Sequence, residues 1–369
     1  MLLRGAALGK AGRAVKTRIT ELLGIEVPIF CSGMSWIATP ELVAAVSNAG
    51  GCGILATGVS TVEQTREFVR RTRQLTDRPF AANLTLYFPG AQKNAQVLFE
   101  EKVPIVNYAL GKGDWIVKAV HAYGGQVIAT VTTHKHALAA ERDGADAVIV
   151  TGYEAAGHGG AITSMVLIPA IASALKIPVI AAGGIADGRG LAAALALGAD
   201  GVSMGTRFMN TVESPCHENM KRLCIEQEIY DTIYTDRVDG LPARFMKSRA
   251  SHRIMKRRLN PLNALLNSRK IAQLLGLPWL KLFVGILVAG YTKAVQMARM
   301  AIGFEAFKRG TIDGDNDRGV LPLGQVAGII QDTPTVAEVI RRIVDEAAAA
   351  QQSLAAQVQR SAAPHQSAH

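Results

Sequence analysis

The feature that most constrains the fold is a regular alternation of short apolar runs and longer amphipathic segments between about residues 20 and 210. The apolar runs are rich in β-branched residues, as expected of parallel strands that are buried on both faces. Their spacing of roughly 20 to 30 residues suits repeated βα units. Eight strands are predicted, at Val27–Phe30, Gly53–Ala56, Phe80–Leu86, Ile105–Leu110, Gln126–Thr130, Ala147–Thr151, Val179–Ala182 and Gly201–Met204.

The segments between these runs carry helix-start signals. Thr39-Pro40-Glu41 combines a cap residue with a proline at the first helical position, and Ser60 to Glu63 is typical of a capping box. Eight βα units predict the α/β class and a (β/α)8 TIM barrel. A doubly wound sheet is the alternative, but dinucleotide-binding sheets of that kind carry GxGxxG after the first strand, and the sequence has none.

Two glycine-containing loops occur where a barrel of this kind binds phosphate, after strands seven and eight. Gly183 and Gly184 follow the seventh strand, and Gly205 and Thr206 follow the eighth. Glycine lets backbone amides approach an anion, and a helix start behind the loop adds partial positive charge. Glycine also occurs in tight turns for purely steric reasons. The two loops together favour phosphate binding.

The longest polar break in the repeat follows strand six, from Gly152 to Ala161. It contains His158, whose glycine neighbours leave room for a ligand and provide no apolar wall. A neutral imidazole can take or give a proton near neutral pH, so His158 is the predicted catalytic residue. A histidine of an ordinary surface loop is the alternative.

Other strand ends add polar groups to the same face. Gly33 and Met34 follow strand one, and Asn83 lies inside strand three. A buried amide costs stability unless it is hydrogen-bonded, so Asn83 is either a ligand contact or a bonded core amide. Met34 alone is more typical of packing.

Metal and disulfide chemistry are not expected. The four cysteines form no CxxC pair, which is typical of a protein from a reducing cytoplasm. His134 and His136 are two apart in a predicted helix and do not share a face, so no metal site is predicted. The basic N-terminal stretch lacks the apolar core of a secretory signal.

The net charge of +10 is concentrated in two parts of the chain. The first twenty residues hold five basic and no acidic residues, and Gly240 to Phe304 holds twelve basic and no acidic residues. The second part predicts an inserted basic helical region, whose apolar stretch Leu274–Tyr291 is too short and interrupted for a membrane span of about 20 residues. The cations form either a solvated face or a docking site for an acidic partner. Nucleic acid is not expected, since aromatic residues are scarce there and no recognition motif accompanies the charge.

Five motifs in order resemble the FMN-dependent nitronate monooxygenase (2-nitropropane dioxygenase) family, which includes the flavin enoyl-acyl carrier protein reductases of type II. The likeness spans about residues 18 to 250, and the segment from Gly314 to Gly328 is similar to one that returns to the barrel near the end of these proteins. The motifs are Pro28 to Met34, Ala44 to Gly53, Glu154 to Gly160, Ile180 to Asp187 and Gly205 to Phe208.

This resemblance implies FMN in the barrel, with NAD(P)H as a candidate cosubstrate. It implies that the FMN phosphate lies on Gly183, Gly184, Gly205 and Thr206, and that His158 is the active-site histidine. The remaining FMN-contacting residues that it implies are Gly33, Met34, Asn83 and Gly157. Two departures from the family pattern are Cys31-Ser32, in place of Gln-Gly or Gln-Ala-Pro, and Ala156, where Gly-Gly-His is common.

Nitronate monooxygenase is the leading functional hypothesis, with His158 removing the α-proton of an alkyl nitronate or nitroalkane and oxygen completing the reaction. The main alternative is an NAD(P)H-dependent enoyl-thioester reductase or a related CoA-thioester redox enzyme. The basic insert favours this alternative, because a nitronate is too small to need twelve cations; CoA or an acidic carrier protein would meet them. A flavin-binding module without turnover is a third hypothesis.

The predicted organisation has five parts. Residues 1–17 are a flexible basic arm, 18–239 the FMN-binding barrel and 240–310 the basic helical insert. Residues 311–346 return to the barrel, and 347–369 form a disordered tail. A monomer or a homodimer is expected.

Overall fold

Eight parallel strands close into a barrel in the computed structural model, which describes residues 14–88, 90–256, 279–280 and 291–362. Each strand pairs with the next along the chain, and β1 pairs with β8 to complete the ring. The (β/α)8 prediction is confirmed, and all eight strands lie where the apolar runs predicted them, within two residues at each end. They are β1 Ile29–Cys31, β2 Cys52–Ala56, β3 Ala81–Thr85, β4 Ile105–Ala109, β5 Gln126–Val131, β6 Ala147–Thr151, β7 Val179–Ala182 and β8 Gly201–Met204.

Helix α1, at Arg18–Leu23, precedes the barrel, and one helix follows each strand. This alternation is the βα repeat that the sequence predicts. The helices are α2 Pro40–Asn48, α3 Val62–Leu75, α4 Ala91–Glu100, α5 Asp114–His121, α6 His134–Arg142, α7 Ser164–Ala172, α8 Gly188–Ala196 and the short α9 Thr206–Met209.

Helix starts follow the local sequence closely. Helix α2 begins at Pro40 after the N-cap Thr39, as predicted. The capping box of α3 lies one residue later than predicted: the Gln64 N–H donates to Thr61 Oγ1, and the Thr61 N–H donates to Gln64 Oε1. Glutamine serves this motif as well as glutamate does, so the Ser60–Glu63 prediction was displaced by one residue.

Alternate strand residues fill the barrel interior, and the others pack against the helices. Helix α1 closes the N-terminal end of the barrel, where Ile19 joins the interior cluster. Arg18 donates to both carboxylate oxygens of Asp200, at 2.8 and 2.7 Å. The barrel interior can therefore be reached from solvent at its C-terminal end. Interior residues include Phe30, Ile54, Ile105, Ile128 and Ile180.

After β8 the chain leaves the repeat. Helix α10, at Glu218–Glu226, leads into an antiparallel hairpin of β9 Thr232–Thr235 and β10 Ala243–Met246. The sequence assigned residues from 240 onward to a helical insert, and for β10 this is wrong. All four β10 side chains are buried, and the strand pairs with β9, a contact that no local pattern encodes.

The helical prediction for the insert is confirmed at α11 Arg249–Lys256 and α12 Tyr291–Thr311. Most of the apolar stretch Leu274–Tyr291 lies outside the described residues. Across the part of the chain that the structure describes, no helix combines the length and the apolar character that a membrane crossing requires.

The end of the chain returns to the barrel through a 3-10 helix at Gln325–Ile329 and then α13 at Val336–Ala362. Helix α13 packs on α8, where the Gly188 N–H donates to Glu346 Oε2 at 2.8 Å. The predicted disordered tail is wrong as far as Ala362, because alanine and glutamine favour helix and extend one already anchored by packing. Residues 363–369 and 1–13 lie outside the described residues.

Gly53→Ala is expected to lower the free energy of unfolding by about 3 kcal/mol or more, the upper end of overpacking costs. A Cβ at Gly53 would lie 2.4 Å from the carbonyl oxygen of Val43 and 2.6 Å from its Cα, so β2 and α2 would have to separate. Equilibrium denaturant unfolding measures the difference.

Gly124→Ala is the control, because Gly124 has φ +80° and nothing within 4 Å of the added Cβ. Its expected cost is the left-handed strain alone, about 1 to 2 kcal/mol; equal losses would contradict the tight contact.

Candidate active site

A large cavity opens at the C-terminal end of the barrel, with a volume of about 830 Å³. This size suits a cofactor together with a substrate group. Closure of the barrel brings the strand-end loops around it, as the sequence argument expects. All the residues that the sequence singled out for the site line this cavity: Gly33, Met34, Asn83, Gly157, His158, Gly183, Gly184, Gly205 and Thr206.

The cavity floor is polar because the interior strand positions change character near the C-terminal ends of the strands. Interior positions recur every second residue. Two positions after Ile105 comes Asn107, and two positions after Ile128 comes Thr130. The apolar interior layer therefore gives way to a layer of amides and hydroxyls. The same layer includes Asn83, Thr151 and Ser203.

Side-chain hydrogen bonds hold this layer in place. Asn83 Nδ2 donates to Asn107 Oδ1 at 2.6 Å, and Asn107 Nδ2 donates to Thr130 Oγ1 at 2.9 Å. Asn83 is thus a bonded amide that also lines the cavity, and its contact with a ligand stays a prediction. Neutral donors and acceptors of this kind suit a flat ring system that carries carbonyl and N–H groups.

Tyr108 and the cysteines of the strands stay protonated. Burial raises the pKa of Tyr108, which lines the cavity, to about 12, so its phenol can donate a hydrogen bond at neutral pH. Burial also raises the pKa of the Cys52 thiol to about 12 and that of Cys31 further, so neither supplies a thiolate. In the stretches 14–88, 90–256, 279–280 and 291–362, no group of three or more His, Cys, Asp or Glu side chains could hold a metal ion.

Two loops form the part of the cavity that suits a phosphate. Gly183 and Gly184 have φ values of +94° and +77°, which glycine adopts without strain. Gly205 precedes α9, whose first backbone N–H groups have no intrahelical partner. Thr206 Oγ1 accepts from the Gly324 N–H at 3.1 Å, so the returning C-terminal segment supports this loop.

These features fit FMN. The glycine loops provide a side-chain-free surface for its phosphate, and the amide and hydroxyl layer can face its ring. Gly33 is required at the edge of that layer, because a Cβ there would lie 2.7 Å from Asn83 Cβ. The residues of the cavity could therefore hold the cofactor that the resemblance implies.

His158 lies in the irregular loop between β6 and α7, and its Nε2 is 2.8 Å from Asp239 Oδ2. The His158 side chain is 28% exposed, whereas that of Asp239 is 4% exposed. Glu154, in the same loop, accepts instead from the Ser164 N–H at 2.9 Å and from Ser164 Oγ at 3.0 Å. Asp239 is thus the carboxylate that pairs with the predicted catalytic histidine.

The β9–β10 hairpin clamps this loop. Gly157 and Arg244 exchange backbone hydrogen bonds of 3.1 and 2.9 Å. The Arg244 guanidinium donates twice to the Tyr153 carbonyl, at 3.1 and 2.9 Å, and lies 4.4 Å from the centre of the Tyr153 ring and 5.6 Å from that of Tyr234. Tyr234 Oη donates to the Gly159 carbonyl at 3.0 Å. Arg244 was counted among the cations of the insert, but it is buried and occupied by these contacts.

Aromatic side chains from the insert and the first loops surround the outer cavity. Phe304 and Phe307 of α12 line the cavity, so the insert covers the barrel mouth. Phe304 contacts Phe88 and Trp36 edge-on, with ring centroids 4.9 and 6.1 Å apart. Phe307 stacks on Phe245 at 5.3 Å. The outer cavity is therefore an apolar, aromatic-walled space.

Three exposed cations of the insert lie together on α11, whereas the exposed Lys247 precedes this helix and the exposed Lys308 lies on α12. Arg249, Arg253 and Lys256 are exposed along one helical stripe, together with His252. The opposite side of α11 packs inward, where Ile254 contacts the cluster that contains Phe245, Phe304 and Phe307. We call this stripe the basic face of α11.

Sequence reasoning missed several residues of the site. Asn107 carried the same signal as Asn83, an amide inside an apolar strand, and could have been found. Asp239 and Arg244 had no local signal, because their partners His158 and Tyr153 are 81 and 91 positions away. Phe304 and Phe307 lie in a helix whose orientation the sequence does not determine.

The model of the protein family described as nitronate monooxygenase matches residues 16–346. The chain belongs to this family. Membership confirms the resemblance drawn from the five motifs and makes the protein an oxidoreductase. The family relationship extends through the insert and the returning segment, beyond residue 250 where the detailed motif likeness ended.

Two similar relatives are named (3aS,4S,5R,7aS)-5-hydroxy-7a-methyl-1-oxo-octahydro-1H-indene-4-carboxyl-CoA dehydrogenase. That of Rhodococcus jostii is 37% identical and that of Mycobacterium tuberculosis 35%; each match covers 90% of this chain and 96% of the relative. A probable nitronate monooxygenase of Staphylococcus saprophyticus is 32% identical over 65% of this chain and 81% of its own length. The solved structure of FabK from Thermotoga maritima is 36% identical, with a TM-score of 0.78 over 93% of this chain and 99% of that chain.

Gly183→Ala is expected to weaken FMN binding at least about tenfold. The new Cβ would lie 3.1 Å from Ala155 at φ +94°, so the loop that is predicted to face the phosphate must shift. Flavin content after purification and FMN titration of the stripped protein measure the effect.

Gly198→Ala is a matched control, with φ +91° and a Cβ 3.2 Å from Ala172 Cβ, outside the cavity lining. Both variants should lose similar thermal stability without flavin, and only Gly183→Ala should lose FMN affinity. Equal flavin retention in the two variants would remove Gly183 from the cofactor site.

Proposed function

We propose that the protein is an FMN-dependent oxidoreductase of acyl-CoA thioesters that exchanges reducing equivalents with a nicotinamide dinucleotide. The observation that carries this proposal is the cavity of about 830 Å³, which continues from the polar floor into an aromatic-walled outer space. An alkyl nitronate would leave most of that outer space unfilled. The two relatives that match nearly their whole length are named as a CoA-thioester dehydrogenase, which supports the same substrate class.

Two sets of cavity residues would hold the cofactor, one at its phosphate and one around its ring. Gly183, Gly184, Gly205 and Thr206 would take the FMN phosphate. When bound, FMN supplies hydride transfer, for which the protein provides position and electrostatics. The residues that would surround the ring are Gly33, Met34, Asn83 and Gly157.

His158 would transfer the proton at the carbon next to the thioester carbonyl. That carbonyl makes the α-proton acidic, and an imidazole is matched to proton transfer near neutral pH. His158 lines the cavity and has a partly exposed side chain, so a substrate carbon can approach it. The hydrogen bonds from Arg244 to the Tyr153 carbonyl attach the loop to the β9–β10 hairpin.

The outer cavity would receive the acyl group. Its walls of Phe88, Phe304 and Phe307 suit a bulky hydrocarbon skeleton, and aromatic faces pack well against ring systems. The names of the two nearly full-length relatives describe a fused alicyclic acyl-CoA. An alicyclic or similarly bulky acyl group is therefore the proposed substrate class for this site.

The basic face of α11 would meet the phosphates of CoA. It presents Arg249, Arg253 and Lys256 to solvent, and the opposite side of the helix packs on the aromatic cluster. Binding there would leave the pantetheine arm free to reach the cavity. An acidic carrier protein would be attracted by the same charges and is distinguished by the substrate comparison below.

Nitronate oxidation is the second candidate function. The name of the matching family and of the Staphylococcus relative favour it, and His158 could equally remove the α-proton of a nitroalkane. The buried, unpaired cysteines are consistent with the proposed cytoplasmic location in either case.

Anaerobic reduction of the bound flavin separates the two functions. NADH or NADPH should bleach the flavin, an α,β-unsaturated alicyclic acyl-CoA should reoxidise it, and propyl nitronate should not reduce it. Reduction by propyl nitronate alone would overturn the proposal. In steady-state turnover, His158→Ala should lower kcat about a hundredfold while FMN stays bound; a loss within about threefold would remove its role in proton transfer.

Reversing the charge of the basic face tests the role of α11. The double variant Arg249→Glu/Arg253→Glu should lower kcat/KM for the acyl-CoA about tenfold at low salt, and less at high salt, since the effect is electrostatic. Turnover of the matching N-acetylcysteamine thioester, which lacks the phosphates, should change less than about twofold.

Lys118→Glu/Lys176→Glu, on exposed positions of the barrel exterior, is the control with the same change in net charge. An equal loss in the control, or an equal loss with the truncated thioester, would contradict CoA binding at α11. A loss confined to an acyl carrier protein substrate would identify the carrier as the partner.

A further inference from the structure

Asp239 is the one acidic side chain, in the part of the chain that the structure describes, whose carboxylate is hydrogen-bonded to His158. It does not come from a barrel strand. It lies in the turn between β9 and β10, which the chain reaches long after the barrel has closed. Its side chain is 4% exposed and lines the same cavity as His158.

We propose that Asp239 is a positioning residue that fixes the tautomer of His158, so that Nε2 carries the proton and Nδ1 is the atom that exchanges a proton with the substrate. This inference rests on the proposed role of His158 in proton transfer. It goes beyond that role because it assigns the reacting atom and the residue that determines it.

In the hydrogen bond between Asp239 and His158, the Asp239 carboxylate is the acceptor. Oδ1 accepts from the Leu241 N–H at 3.2 Å, and Oδ2 faces His158 Nε2 at 2.8 Å. An ionised carboxylate only accepts hydrogen bonds, so Nε2 must be the donor. A buried carboxylate without such donors would be costly, and these two bonds offset part of that cost.

Because Nε2 is the donor, the tautomer of His158 is determined. A neutral imidazole with its proton on Nε2 has its free lone pair on Nδ1. Within the described residues no hydrogen bond occupies Nδ1, and the ring is partly exposed in the cavity. The atom available to a substrate is therefore Nδ1. The neutral ring accepts the α-proton there when an acyl-CoA is oxidised, and the imidazolium donates a proton from there when an enoyl-CoA is reduced, while Nε2–H stays bonded to Asp239 in both directions.

The backbone around Asp239 allows little movement. Gly303 of α12 packs directly on it, because a Cβ at residue 303 would lie 2.7 Å from Asp239 Cβ. Gly240 completes the turn with φ +91°. The backbone bonds between Gly157 and Arg244 tie the His158 loop to the same hairpin. The β9–β10 hairpin thus holds both Asp239 and the loop that carries His158.

The first test measures the tautomer directly in the holoenzyme. The protein is labelled with ring ¹⁵N-histidine, and the His158 signals are assigned by their absence in His158→Gln. At about pH 8.5, where imidazoles are normally neutral, Nε2 should show the shift of a protonated ring nitrogen and Nδ1 that of an unprotonated one. The reverse pattern, or an equal mixture of tautomers, would overturn the proposal. This test needs no variant of Asp239 and no substrate.

The second test replaces the acceptor with a donor. In Asp239→Asn the amide can donate to Nε2 and favour the opposite tautomer, so kcat should fall about a hundredfold or more with KM little changed. The ¹⁵N pattern of His158 should invert, while flavin content and thermal stability stay close to those of the wild type. A purely structural role would lower stability or flavin content without changing the tautomer.

Asp236→Asn is the matched control, an exposed carboxylate of the same turn, and should leave kcat and the ¹⁵N pattern unchanged. A kcat of Asp239→Asn within about threefold of wild type would overturn the proposal. If His158→Ala retains turnover, the proton-transfer role under the proposed function fails, whereas the tautomer measurement still reports on the pair. The two failures are therefore distinguishable.

Discussion

Pairing between β1 and β8 is the constraint on which the site depends. Once these strands meet, the barrel has no unpaired edge, and the ends of all eight strands lie on one rim. Loops separated by more than 150 residues in the chain then surround one cavity, and both Gly33 and Gly184 line it. The apolar layers beneath the rim fill the barrel interior, so the cavity lies above them at the C-terminal end.

Segments outside the βα repeat supply the other residues of the site. The β9–β10 hairpin supplies Asp239 to His158 and holds the histidine loop through Arg244. Helix α12 then adds Phe304 and Phe307 to the outer cavity. The barrel thus provides a cofactor-sized polar floor, and the added segments determine how large and how apolar the remaining space is.

The positive charge takes on a different meaning in the folded protein. Counted along the chain, Arg244 and Arg253 belong to one acid-free basic segment. In the structure Arg244 is buried between two tyrosine rings, whereas Arg253 is exposed on the basic face of α11. A charge count therefore mixes a structural cation with cations that are available to a partner.

The sequence by itself determined the barrel and the part of the site that lies on it. Buried parallel strands must be apolar over their whole length, and a backbone that turns with positive φ at Gly183 and Gly184 needs glycine; both requirements are local and are visible in the residues. The same local argument singled out His158 and Asn83, and both line the cavity. Only the tertiary structure decided that Asp239 pairs with His158, that β10 is a strand, and that α12 covers the cavity. These features depend on contacts across 80 or more positions or on the direction in which a helix packs, and no short-range pattern encodes either of them.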